Sequence, residues 1–123
     1  MARGPAALTV QFQGVLDAIT RVRGVRGAMM VATEDGLVVA DTLMEGVNGK
    51  AVAALAASLF QRLRQATAAA GIGRPGFVHL QASEGGLLAL DPGGEVLLVA
   101  VTDPEVNVGL VRLEMLRASE VVK

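Results

Sequence analysis

Two apolar runs joined by a turn constrain this chain more than any other feature. In Gly24-Val25-Arg26-Gly27-Ala28-Met29-Met30-Val31-Ala32-Thr33-Glu34-Asp35-Gly36-Leu37-Val38-Val39-Ala40, Asp35-Gly36 is a hairpin signal between two strand-like segments. Successive residues of a strand point to opposite faces. Met29-Met30-Val31 and Leu37-Val38-Val39 are therefore apolar on both sides, and Val96-Leu97-Leu98-Val99 repeats the pattern. A sheet that is apolar on both faces has to be covered on both faces.

Helices to cover it are legible in the periodicity. Leu8, Phe12, Val15, Leu16, Ile19 and Val22 recur at helical spacing and predict an amphipathic helix over about 8–23. Arg21 and Arg23 are placed in its last turn, and Gly24 is placed to close it in a left-handed conformation. The hairpin spans about 26–41. A polar loop holding Gly46, Asn48 and Gly49 opens a second, Ala-rich helix over about 49–70, ended by Gly71, Gly73 and Pro75-Gly76. Phe77–Ala82, Leu87–Leu90 and Val96–Val101 are short strands. The connections Glu84-Gly85-Gly86 and Asp91-Pro92-Gly93-Gly94 are tight enough to require an antiparallel meander. Asp103-Pro104-Glu105 carries the signature of a helix start, with Asp as cap. Val106, Leu110, Leu113, Met115 and Leu116 supply the apolar side of that last helix. The order α-β-β-α-β-β-β-α predicts an α/β (α+β) fold, a five-stranded antiparallel sheet with two helices on one face and one on the other. Residues 1–123 are expected to form a single domain with an ordered core over about 8–121.

Composition narrows the function classes. The chain has 123 residues, 52% of them hydrophobic but only 2% aromatic, and a mean hydropathy of +0.51. Ala, Val and Leu thus supply the core, and more apolar surface is present than one small core consumes. A net charge of −1 gives no general attraction to nucleic acid or to an anionic membrane. The absence of Cys excludes disulfides and Cys-ligated metals and fits a reducing compartment. Met1–Val10 lacks the layout of a signal peptide, and the apolar runs are too short to span a bilayer. A soluble cytoplasmic protein is expected, with no nucleic-acid partner and no membrane insertion.

The middle helix carries two apolar stripes. Val52, Leu55, Leu59, Leu63 and Ala66 share one side, which is expected to lie on the sheet. Ala53, Ala57, Phe60 and Arg64 lie roughly opposite that stripe and are expected to face a second copy of the chain, because small side chains admit close approach and broad apolar patches mark interfaces. The alternative is that Ala is there only as the best helix former.

No catalytic constellation can be assembled. Gly46-Val47-Asn48-Gly49-Lys50-Ala51 has the look of a phosphate loop, but Met44 stands where the first Gly belongs and Ala51 where a magnesium-binding Ser or Thr belongs. His79 is the single His and cannot build a metal site alone; on an apolar strand it is a structural or interface residue. Ser58, Ser83 and Ser119 stand in no nucleophile context. Glu34 with Asp35, and Glu84 with Asp91, lie in hairpin turns where acidic residues serve turn geometry. Arg21, Arg23 and Arg26 form a basic cluster without interleaved aromatics, which reads as a solvated helix end or a docking patch for an acidic partner. No catalytic residue, cofactor or metal is expected, and no enzyme activity.

The element order, Gly24-Val25-Arg26-Gly27-Ala28 leading into the first strand, Asp35-Gly36-Leu37-Val38-Val39-Ala40 in the hairpin, and Gly94-Glu95-Val96-Leu97-Leu98-Val99-Ala100-Val101 followed by Asn107-Val108-Gly109-Leu110-Val111-Arg112 together resemble the Roadblock/dynein light-chain family over nearly the whole chain. The resemblance implies a profilin-like or longin-like sandwich that homodimerises, with the middle helices side by side and the third strands joined into one sheet. It places Ala53, Ala57, Phe60 and Arg64 in the dimer contact, with Phe77, His79 and Gln81 at the strand edge. Bacterial members of the gliding-motility Mgl type are regulators of small Ras-like GTPases. By that likeness the GTPase platform is the outer side of the same helices, at Ser58, Gln61, Arg62 and Gln65. Two functions are implied: a non-catalytic regulator or scaffold for such a GTPase, or a homodimeric signalling scaffold or sensor without one.

Overall fold

The computed structural model describes residues 5–122, with the side chains of residues 11–122; Leu8 and the first four residues, invoked above, lie outside what is described of side chains or backbone. The elements are α1 (Pro5–Thr20), β1 (Val25–Ala32), β2 (Val38–Leu43), α2 (Gly49–Ala69), β3 (Phe77–Gln81), β4 (Gly86–Leu90), β5 (Val96–Thr102) and α3 (Val108–Val122). They form a five-stranded sheet in the order β2-β1-β5-β4-β3, and every neighbouring pair is antiparallel. The expected element order and architecture hold.

The alternation along β1 divides the core in two. Ala28 and Met30 enter one cluster with Val15, Leu16 and Ile19 of α1 and Val111 and Met115 of α3. Met29 and Val31 enter the other, beneath α2, with Leu97, Val99 and Phe60. The central strand β5 feeds both, Leu98 and Ala100 to the first and Leu97 and Val99 to the second. The two-faced apolar pattern of these strands is thus what sandwiches the sheet between helices.

Three local expectations are corrected. α1 ends at Thr20, so Arg21 and Arg23 lie beyond it; the Val22 N–H turns back to the Ile19 carbonyl at 3.2 Å, and Gly24 follows at φ 95°. α3 starts at Val108, not at Asp103. Its cap is Asn107, whose Oδ1 accepts the Leu110 N–H at 3.1 Å, while the Asp103 carboxylate is engaged by Arg26. The buried side of α3 is Val111, Met115, Ala118 and Ser119; Leu110, Leu113 and Leu116 are each more than two-fifths exposed. The later start has a local cause. Asp103-Pro104-Glu105 is spent in a turn, with the Val106 N–H reaching the Asp103 carbonyl at 3.3 Å, and packing in the α1–α3 cluster selects Val111, Met115 and Ala118 as the buried side.

Candidate interaction surface

α2 positions the surface. Asn48 caps it by accepting the Ala51 N–H at 3.1 Å, which is what the Gly-Val-Asn-Gly-Lys loop does in place of holding a phosphate. From there α2 runs over β1, β2 and β5. The residues it sets against the sheet are Ala53, Ala56, Ala57 and Phe60. This reverses the expected orientation. Ala53 and Phe60 are 0% exposed and Ala57 is 4% exposed, so the protomer's own core consumes them and they present nothing to a second chain. The sheet explains the choice. Met29, Val31, Leu97 and Val99 already fill the space under the helix, so small helix residues fit there and a leucine row does not. The hairpin turn comes equally close: a Cβ built on Gly36 would lie 3.5 Å from the Ala57 methyl.

The leucine stripe consequently stands about a quarter of a turn round α2 from the sheet. Leu55 is 47% exposed, and Leu59 and Leu63 are half-buried. The stripe flanks the β4–β3 half of the sheet, where Leu80 is 38% exposed and Val78 is partly buried against the cluster under α2. A groove of about 260 Å³ runs between them, lined by residues that include Arg26, Val52, Leu55, Leu80, Leu87 and Val101. Among the described residues, β3 is hydrogen-bonded to β4 on one side and to no strand on the other. Its backbone edge is therefore open beside the leucines.

The expected edge residues Phe77, His79 and Gln81 do lie on β3, but on the opposite face from α2. Phe77 packs against the α1–α3 cluster, with the Arg112 guanidinium 4.9 Å above its ring, and His79 and Gln81 share that face by alternation. The structure therefore does not bring Phe77, His79 and Gln81 together with Ala53, Ala57 and Phe60; the sheet separates the two groups. Val78, Leu80, Leu55, Leu59 and Leu63 were missed as surface residues. The signal for the α2 leucines is the stripe they form at helical spacing, which periodicity alone assigns to the sheet.

Arg64 is committed within the protomer. Its Nη2 donates to Asp91 Oδ2 at 3.0 Å and to the Gly94 carbonyl at 3.2 Å. The Asp91 side chain is only 5% exposed, and its Oδ1 also accepts the Gly93 and Gly94 N–H groups. That arrangement pins the β4–β5 turn to α2, so Asp91 serves turn geometry. Asp35 does likewise by accepting the Leu37 N–H at 3.2 Å. Of the residues assigned to a partner platform, Ser58, Arg62 and Gln65 are exposed on the outer side of α2. Gln61 is exposed too, but its Nε2 donates to the Thr33 and Glu34 carbonyls at 3.2 and 2.8 Å, tying α2 to the hairpin. α2 carries Lys50, Arg62 and Arg64 and no acidic residue. Since Asp91 neutralises Arg64, the outer ridge is mildly cationic. Among the described residues, no three His, Cys, Asp or Glu side chains are grouped to hold a metal, and no helix is long and apolar enough to cross a membrane.

Comparison with known proteins agrees with this architecture. A protein of Methanocaldococcus jannaschii is 36% identical over 109 residues, covering 89% of this chain and 94% of its own. The gliding protein MglB of Thermus thermophilus superposes with a TM-score of 0.84 at 25% identity, over 99% of this chain and 91% of that one. A Roadblock/LC7 domain from Streptomyces avermitilis shares the fold, with a TM-score of 0.79 at 21% identity over 89% of this chain and 92% of its own. The Roadblock/LC7 domain model matches residues 11–102, and the chain belongs to the Roadblock/LC7 family.

Proposed function

We propose that this chain is a homodimeric regulator or scaffold, without catalysis of its own, that binds a small Ras-like GTPase and modulates its GTP hydrolysis or its localisation. The observation that carries the reading is the uncovered strip of Leu55, Leu59, Leu63, Val78 and Leu80 beside an open strand edge. Contiguous apolar surface of this kind marks an interaction site, and a second copy presents the same strip, so the contact is isologous. β3 pairing with β3 of the second copy would satisfy the open backbone edge. The seam would then carry Phe77, His79 and Gln81 on the face away from α2. The dimer contact expected at Ala53, Ala57, Phe60 and Arg64 is thereby moved round the helix to its leucine flank.

Two α2 helices side by side would leave Ser58, Arg62 and Gln65, with Gln61 at the margin, as a twofold-repeated polar ridge for the partner. Kinship with MglB at 25% identity over nearly the full chain supports a GTPase as that partner. The test measures native mass by light scattering, then binding to a Ras-like GTPase of the same genome loaded with GDP or with a non-hydrolysable GTP analogue. State-dependent binding that Arg62→Glu weakens is the expected result. A dimer that binds neither form refutes the regulator reading and leaves the scaffold without a GTPase.

A further inference from the structure

We propose that the cavity between the β1–β2 turn, the β4–β5 turn and the C-terminal half of α2 binds an arginine side chain of a partner polypeptide. The cavity is complete within one protomer, so its occupancy depends neither on the homodimer nor on the GTPase proposed above.

The cavity measures about 560 Å³, within the range of about 300–1,000 Å³ typical of small-ligand sites. The β1–β2 turn contributes Thr33, Glu34 and Asp35 to its walls, α2 contributes Gln61 and Arg64, and the segment ahead of β5 contributes Gly94 and Glu95. These walls are tied to one another. The Thr33 N–H donates to the Glu95 carbonyl at 3.0 Å. The Gln61 amide holds the Thr33 and Glu34 carbonyls, and Arg64 holds the Gly94 carbonyl. An occupant therefore meets a preformed site, which lowers the ordering cost of binding.

Two polar atoms of those walls are buried without a hydrogen-bond partner among the described residues. The first is Thr33 Oγ1, on a residue that is 2% exposed. Thr33 continues the alternation of Met29 and Val31, which pack beneath α2, so its side chain is turned to the face where Gln61 and Arg64 stand. The second is Arg64 Nε; Nη2 of the same guanidinium is engaged by Asp91 and the Gly94 carbonyl. Buried polar groups of folded proteins are nearly always bonded. Two that are not, in the walls of one cavity, point to an occupant that bonds them.

Charge identifies the occupant. Glu34, Asp35 and Glu95 are exposed where they line the cavity, and none of them is in an ion pair among the described residues. Asp35 Oδ1 accepts the Leu37 N–H, which leaves the charge of that carboxylate uncompensated. Arg64 is the one cation in the walls, and Asp91 neutralises it at 3.0 Å. Arg74 approaches Asp91 at 4.0 Å without lining the cavity. Three uncompensated carboxylates draw in a cation. The Arg64 Nε–H is a donor and needs an acceptor, which a bare cation lacks. An arginine residue of a polypeptide brings a carbonyl oxygen beside its charge. Its planar fork of five N–H donors bonds carboxylates and the Thr33 hydroxyl together, which the point charge of lysine does less well.

The test titrates N-acetyl-arginine methylamide into isotope-labelled protein and follows the backbone amide resonances. Saturable shifts confined to Thr33–Gly36, Gln61–Gln65 and Asp91–Glu95 are expected, with a Kd on the order of 1 mM for so small a probe. The citrulline analogue keeps the shape without the charge and should bind about tenfold more weakly; methylguanidinium keeps the charge without the carbonyl and should lose a similar factor. The double variant Glu34→Gln with Glu95→Gln should weaken arginine binding about tenfold, and Thr33→Val about fivefold. Both should stay folded, since the two glutamates are exposed and unpaired and the threonine hydroxyl is unbonded. The absence of saturable shifts, shifts centred elsewhere, a citrulline analogue that binds as tightly as arginine, or an unchanged Kd in either folded variant overturns the proposal.

Discussion

Phe60→Ala separates a core residue from an interface residue. Phe60 is the largest fully buried side chain of the protomer, packed beneath α2 among residues from β1, β4 and β5. Truncating a fully buried phenylalanine to alanine costs about 3–5 kcal/mol, the transfer term plus the cavity left behind. The surroundings here are the backbone of a helix already seated on alanines, which has little room to settle further, so the upper half of that range is expected. For a chain of 123 residues the unfolding entropy makes 1 kcal/mol worth about 4 °C, which gives a fall in Tm of roughly 15–20 °C. The assay is denaturant unfolding at two protein concentrations about a hundredfold apart, with native mass measured alongside. A core residue lowers the midpoint equally at both concentrations and leaves the native mass unchanged. Leu55→Ala is the contrast. At 47% exposed, its loss should cost the protomer less than about 1 kcal/mol while shifting native mass towards monomer. A Phe60→Ala protein that loses under about 1 kcal/mol and becomes monomeric would refute this orientation of α2.

Other perturbations test the supports around the surface. Arg64→Ala leaves the nearly buried Asp91 carboxylate with its backbone donors and Arg74 at 4.0 Å; a loss of about 2 kcal/mol is expected, and a neutral result in denaturant unfolding would show the pair contributes nothing. Gln61→Ala removes both bonds that tie α2 to the hairpin, so the Gly36 amide, bonded to the Ala32 carbonyl at 2.9 Å, should exchange its hydrogen faster by about fivefold, or about 1 kcal/mol. Unchanged protection would sever that link. Thr102 is 0% exposed and its Oγ1 has no hydrogen-bond partner among the described residues. Thr102→Val should therefore raise stability by about 1 kcal/mol in the same unfolding assay, and a loss of that size would mean the hydroxyl is satisfied.

The strands were legible because period two is a strict constraint. Met29 and Met30 can only point opposite ways, and that alone placed helices on both faces. Turn chemistry did the rest: Asp35-Gly36 and Asp91-Pro92-Gly93-Gly94 fall where the structure turns. The helices were legible in extent but not in phase. α2 offers a small-residue face with one phenylalanine and a neighbouring face of leucines, and a hydrophobic stripe says that a face is buried without saying against what. Periodicity suggested that the leucine stripe lies on the sheet. The deciding quantity was the volume left above the sheet, which β1 and β5 had already filled with Met29, Val31, Leu97 and Val99, and no single helix sequence encodes it.

α3 departs from its sequence reading in a related way, since Asp103-Pro104-Glu105 reads as the start and Asn107 is the cap. The Asp103 carboxylate was drawn off by Arg26, which stands 77 residues earlier in the chain. Asn107 was left to cap the helix, and the buried stripe became Val111, Met115 and Ala118. The local signal thus named Asp103 as the cap, and a long-range partner moved the start to Asn107. For the interaction surface the consequence is specific. A large apolar residue on α2 is core where the sheet beneath leaves room for it, as it does for Phe60, and contact surface where it does not. In this chain the sheet is full, which is why the alanines lie inside and the leucines face out beside an open strand.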